Sequence, residues 1–174
     1  MKYYKKVNIQ FDLELPKNAK ILGKHGYELT DDGPSFIRKY VTKKDVEKIK
    51  NKLPKEIVDK IIYICYCSLK PINCHTHVNE KTILNYYTKT NEEKTIFYDG
   101  EIEIDNNIND NGSFFYKIKK NKLKEAESFV AKNGECWLIN VTQPHEVVGD
   151  NLDDREIVQI YLNGSFDELK KYFI

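Results

Sequence analysis

Hydrophobic positions change their period along the chain. From Val7 to Leu15 the apolar residues Val7, Ile9, Phe11, Leu13 and Leu15 alternate strictly with polar ones, the two-residue repeat of a strand with one buried face. Gly23, Gly26 and Gly33 then punctuate a stretch that reads as loop. Lys43 to Leu53 reads as a helix, with Thr42 as its N-cap and Pro54 as its stop, and Glu56 to Lys60 adds a helical turn. Ile61 to Leu69 is an apolar, β-rich run closed by Lys70-Pro71, the pattern of a strand buried on both faces.

Beyond it the pattern is one of short strands. These are Cys74 to Val78, Thr82 to Lys89, Thr95 to Tyr98, Glu101 to Ile104, Ser113 to Ile118, Ala126 to Ala131, Cys136 to Asn140, His145 to Val148 and Glu156 to Asn163. Turn signals separate them at Asp99-Gly100, Asn111-Gly112, Asn133-Gly134 and Gly149-Asp150. Many short strands with regular turns indicate a sandwich or barrel. Ser165 and Glu168 form a capping box ahead of an apolar stripe, so the chain is expected to end in a helix over residues 165–174. No repeat or linker divides the sequence. The expectation is one domain, residues 1–174: an α/β lead-in over 1–60, an all-β core over 61–163, and the closing helix.

Composition narrows the function classes. The 174 residues suffice for one real core, and 12% aromatic content, with 12 Tyr and 8 Phe, suits strands. Lys plus Arg is 28 against 27 Asp plus Glu, so a net charge of +1 gives no bulk attraction to nucleic acid. Met-Lys-Tyr-Tyr-Lys-Lys leads into the alternating segment and not into an apolar h-region, and no apolar run approaches a membrane span. Cys65, Cys67, Cys74 and Cys136 contain no CxxC and no disulfide framework; Cys65 and Cys67 share a strand face and are expected to pack. An intracellular, cytoplasmic protein with reduced thiols is expected. The sequon Asn140-Val-Thr142 carries little weight without a secretory route.

Three of the four histidines carry the candidate chemistry. Residues two apart on a strand face the same way, so His75 and His77 present their imidazoles side by side. His145 follows a turn, an apolar strand and Pro144, and would complete a facial triad that leaves three positions of an octahedral metal open. A lone histidine is ordinarily a surface or core residue; the His-x-His pair with Pro-His points to a metal. Cys74 should face away from His75. Glu80 would be an auxiliary ligand if the strand bends after His77, and otherwise a solvated turn residue.

The stretch from Lys70 through His75-Thr-His77 to Asn85-Tyr-Tyr87, then Thr95-Ile-Phe-Tyr98 and Pro144-His145, resembles the Fe(II)/2-oxoglutarate-dependent oxygenase superfamily. The likeness is to small phage-encoded members related to the aspartyl/asparaginyl and prolyl hydroxylases, and it covers about residues 61–163. It implies a double-stranded β-helix, the cupin-like jelly roll, with Fe(II) held by His75, His77 and His145 and 2-oxoglutarate as small-molecule co-substrate. Arg155, ten residues past His145, matches the family's basic residue that binds the co-substrate carboxylate. Asn85, Tyr87 and Tyr98 fall on strands near the site, where they would hydrogen-bond the co-substrate or fill the barrel. His77 stands where the family has Asp, which leaves the site one unit more positive. Three-His iron sites occur among cupins such as the thiol dioxygenases, and His75-x-His77 with Glu80 loosely resembles the first cupin motif.

Three functions follow as expectations: a 2-oxoglutarate-dependent hydroxylase, a three-His metal dioxygenase working without 2-oxoglutarate, and a non-catalytic protein binding a small anionic ligand. Arg155 has an ordinary alternative as half of a surface ion pair beside Asp153-Asp154. Lys117, Lys119, Lys120, Lys122 and Lys124 would meet an anionic substrate or form the solvated tip of a hairpin. The Asn-rich segment from Asp99 to Asn111 is expected as a hairpin loop near the mouth.

Overall fold

The structure, a computed structural model, describes residues 2–13, 18–30, 33–110, 113–149 and 155–173. The lead-in contains β1 (Tyr4–Val7), β2 (Ile21–His25), β3 (Phe36–Lys39), α1 (Lys43–Lys50) and α2 (Lys55–Val58). Then come β4 (Ile61–Leu69), β5 (Ile72–His77), β6 (Thr82–Lys89), β7 (Lys94–Gly100) and β8 (Glu103–Asp110). They are followed by β9 (Ser113–Lys119), β10 (Leu123–Val130), β11 (Cys136–Asn140), β12 (His145–Val148) and β13 (Arg155–Leu162). The chain closes with α3 (Phe166–Leu169), continued by a 3-10 turn over Lys170–Tyr172.

Among the described residues these strands form two antiparallel sheets, a mainly β architecture of the sandwich kind. The larger has the order β1-β11-β6-β13-β4-β3-β2, and the smaller β10-β7-β12-β5-β9-β8. The pairing from β4 onward is nested: β4 lies beside β13, β5 beside β12, β6 beside β11 and β7 beside β10. Strand parity then sorts side chains into layers. Tyr87, Phe97, Phe115, Ile157 and Tyr161 fill the space between the sheets. Val158, Ile160, Leu84 and Leu138 point the other way, where Ile49 of α1, Ile57 of α2, Leu169 of α3 and Phe11 cover them. The larger sheet is therefore buried on both faces, and the smaller one keeps only a patch around Cys74, Ile96, Tyr98 and Ile118 outside. Among the described residues no helix is long and apolar enough to cross a membrane.

Several expected elements are displaced. Of the strand read from Val7 to Leu15 only Val7 is laddered, because β1 runs over Tyr4–Val7, where it pairs with β11. Ile9, Phe11 and Leu13 keep their alternation without a partner strand, lying across the helix-covered face; Leu15 is outside the described residues. The expected glycine loop contains strand β2, paired with β3. The Asn-rich segment is the edge strand β8 and no loop: it pairs with β9 through Ile104, Asn107 and Ile108. Asp99-Gly100 ends strand β7, with Gly100 at φ 140 where a Cβ would meet the Lys122 carbonyl oxygen at 2.3 Å. The lysine run is a crossover between β9 and β10, with Lys119 and Lys122 paired to Glu103 and Glu101. Asn111-Gly112, Asp150 and Asp153-Asp154 lie outside the described residues. Thr42 does cap α1, accepting the Asp45 amide at 3.1 Å, and Ser165 caps α3.

Candidate metal centre

The three histidines meet on the inner face of the smaller sheet. His75 and His77 share a face of β5, and His145 of β12 is the register partner of His75. One ligand atom from each imidazole falls within 4.8 Å of the others. The backbone around each ring explains its orientation. Asn140 accepts hydrogen bonds from the Thr142 amide and hydroxyl, at 3.3 and 2.7 Å, which fixes the turn into Pro144-His145. That turn, where the sequon lies, is structural. His77 donates its amide to the Val141 carbonyl at 3.0 Å, so the end of β5 is held against the same turn.

The rings are set with one nitrogen engaged. Nδ1 of His75 lies 2.9 Å from the Asn73 carbonyl oxygen, and Nδ1 of His145 lies 2.8 Å from that of Gln143. A carbonyl can only accept, so Nδ1 carries the proton and Nε2 keeps its lone pair in both rings. Both register partners thus use the same device, a bond to the carbonyl two residues earlier, and this is how metal-ligating histidines are oriented. His77 differs: its Nδ1 faces the Glu80 carboxylate at 3.6 Å. Glu80 is neither a member of the three-histidine group nor a solvated turn residue, being only 8% exposed.

Electrostatics favour neutral imidazoles. Burial, then the neighbouring His145 and His77, drives His75 well below its ordinary value, with Arg155 adding to the effect. Burial takes His145 down to about 3 and also lowers His77, against a smaller opposing pull from Glu80. Burial works against the Glu80 charge, but His77 and Arg38 outweigh it and hold the carboxyl below its usual range. Neutral imidazoles with free lone pairs are the form that binds a metal ion. The donor set, with the tautomers of His75 and His145 fixed, therefore fits a single divalent cation.

A cavity of about 50 Å³ opens before the histidines. Its far wall is the inner face of the larger sheet. Arg155, Gln159 and Tyr161 project into it from β13, with Asn85 and Tyr87 from β6. Arg155 is 5% exposed and lies 5.9 Å from the Tyr87 ring centroid. Among the described residues no carboxylate pairs with it, and its Nε lacks a hydrogen-bond partner, as does Oδ1 of Asn85. Gln159, by contrast, is satisfied by Tyr161 at 2.8 Å and Cys67 at 3.0 Å. Cys65 and Cys67 do pack together, with sulfurs 3.5 Å apart, and Cys74 faces away from the site.

Tyr98 is not with this group. Phe97 is the residue of β7 opposite His145, so the next side chain points to the outer face. There Tyr98 bonds to Glu146, which Lys120 also contacts at 2.7 Å. Gln159, Tyr161 and Thr95 line the cavity and were not singled out from the sequence. A signal existed: Arg155, Gln159 and Tyr161 share parity in a strand whose other residues, Glu156 apart, are aliphatic. No protein-family model matches the chain, and no curated protein matches it either.

Proposed function

We propose that the chain is a non-haem Fe(II)- and 2-oxoglutarate-dependent oxygenase on a double-stranded β-helix. The observation that carries this reading is a buried Arg155 without a carboxylate partner among the described residues, lining one cavity with three neutral imidazoles. A buried guanidinium calls for an anion, and a carboxylate suits its planar fork. The nested pairing from β4 to β13 supports the jelly roll, because winding two antiparallel stretches together brings first beside last. Free, buried cysteines support a reducing, cytoplasmic setting.

His75, His77 and His145 would hold the metal. Fe(II) bound there would supply O₂-dependent hydroxylation, with one oxygen atom going to a substrate C–H bond and the other into succinate as 2-oxoglutarate loses CO₂. Arg155 binds the far carboxylate of the co-substrate, and Asn85 and Tyr87 orient it from the neighbouring strand. Phe115, Ile139 and Val147 exclude water from the same cavity. An all-imidazole donor set also favours a second reading, a three-His dioxygenase in which Arg155 holds the substrate's own carboxylate. Anaerobic titration with Fe(II) and then 2-oxoglutarate separates them. A visible charge-transfer band requiring both components, and lost in Arg155→Ala, is the expected result. Metal binding without the band selects the second reading, and no Fe(II) binding leaves a non-catalytic anion-binding pocket.

A further inference from the structure

The chain bends after β5 over residues 78–81, and two backbone bonds from one residue clamp that bend. Val141 accepts the His77 amide at 3.0 Å and donates its own amide to the Lys81 carbonyl at 3.2 Å. The clamp folds Glu80 back beneath His77, with the carboxylate oxygen 3.6 Å from Nδ1. Both side chains are almost wholly removed from solvent, at 8% and 11% exposure. Among the described residues, neither His77 Nδ1 nor Glu80 Oε2 has any hydrogen-bond partner. A buried carboxylate oxygen without a donor is costly, and the imidazole N–H beside it is the group placed to relieve that cost.

From this we infer that Glu80 is the outer carboxylate of the metal centre, holding the His77 ring with Nε2 toward the cavity and lending the negative charge that three imidazoles lack. The inference rests on the three-histidine metal reading. Glu80 acts through His77 and is a positioning residue. His75 and His145 are set by neutral carbonyls, so the charge enters at one corner only. An imidazole donating to a carboxylate is a stronger ligand than one donating to a carbonyl, and loss of such a partner typically weakens metal binding about 10- to 100-fold. The carboxylate remains on the Nδ1 side, and coordination by three nitrogens is preserved when it is replaced.

The test uses Co(II) as a probe under anaerobic conditions, with the full chain stripped of metal. Dissociation constants and visible absorption of the Co(II) complex are measured for the wild type, Glu80→Gln, Glu80→Asp and His75→Ala. Glu80→Gln should bind one Co(II) about 10- to 100-fold more weakly, with a three-nitrogen spectrum and an unchanged far-UV circular dichroism spectrum. Glu80→Asp should recover part of the loss. Wild-type affinity in Glu80→Gln with binding lost in His75→Ala would overturn the role of Glu80 and leave the metal site standing. A changed ligand-field spectrum in Glu80→Gln at full occupancy would make Glu80 a direct ligand and overturn the inference. Equal affinity in all four proteins, or no binding by the wild type, would overturn the metal reading and this inference with it.

Discussion

Strands β5, β7 and β12 carry polar residues on both faces, and the two faces are finished differently. Outside, Glu146 is bonded by Tyr98 and Lys120, and burial followed by the Glu146 carboxylate pushes the Tyr98 hydroxyl up to about 12. That cluster closes on itself and needs nothing further. Inside, one residue away along the same strands, His75, His77 and His145 face Arg155 and Asn85, and among the described residues several polar atoms there have no hydrogen-bond partner. Buried polar groups are nearly always hydrogen-bonded. A closed cluster is what stability alone produces, and the open one is where the proposed ligands would bind.

The sharpest way to break the contrast is at the histidines. His75→Ala and His145→Ala should each lose metal retention after dialysis, read as metal per chain by elemental analysis. Unchanged stoichiometry in both would end the metal reading. Next in size is Arg155. In metal-loaded protein, Arg155→Ala should weaken 2-oxoglutarate binding by about 100-fold or more, the scale of losing a buried charge partner. In ligand-free protein, Arg155→Met should raise stability by about 1–3 kcal/mol, because a buried charge without a carboxylate partner among the described residues is replaced by an apolar chain of similar length. A drop in stability would mean that Arg155 is structurally paired.

Acidity separates the faces as well. Burial holds the three imidazoles below 6.5, and His145 at about 3, so the folded chain binds fewer protons than the unfolded one between those values. Their contribution to stability is complete above about pH 6.5 and is lost as pH falls towards 3. The midpoint of thermal unfolding of metal-free protein should therefore already fall between about pH 6.5 and 5, above the range of ordinary carboxylates. His145→Ala should flatten that part of the profile; an unaltered slope would assign it elsewhere. The smallest effects belong outside. Glu146→Gln should cost about 1–3 kcal/mol and Tyr98→Phe about 1 kcal/mol in denaturant unfolding, with metal affinity untouched. Weakened metal binding in either would merge the two faces.

Much of this was legible along the chain, for identifiable reasons. Strands β4, β6, β11 and β12 coincide with the apolar runs between turn signals, and the Thr42 cap marks α1 where expected. The His75-x-His77 pair declares its common face through the two-residue period alone. What failed was parity and context. Tyr98 went to the wrong face because a one-residue difference in register reverses every side chain, and only the pairing of Phe97 with His145 fixes it. The expected strand from Glu101 to Ile104 meets only the start of β8; the rest was hidden because Asn and Asp have low strand propensity, and its buried Ile108 is one residue in a polar run. β2 was hidden by Gly23, whose place a side chain could not take without displacing His25, 2.4 Å away. Glu80 depended on the clamp by Val141, which lies far along the chain from His77 and Lys81 and which no local pattern announces.

On the oxygenase reading the inner face binds a cation first and an anion second. Thermal unfolding of metal-free protein with Ni(II), with 2-oxoglutarate, and with both tests it most directly, since a ligand binding only the folded state raises the midpoint. Ni(II) alone should raise it, 2-oxoglutarate alone should not, and the two together should exceed Ni(II) alone in the wild type but not in Arg155→Ala. A midpoint unmoved by Ni(II), or moved equally in His145→Ala, would rule out a cation held by the three histidines.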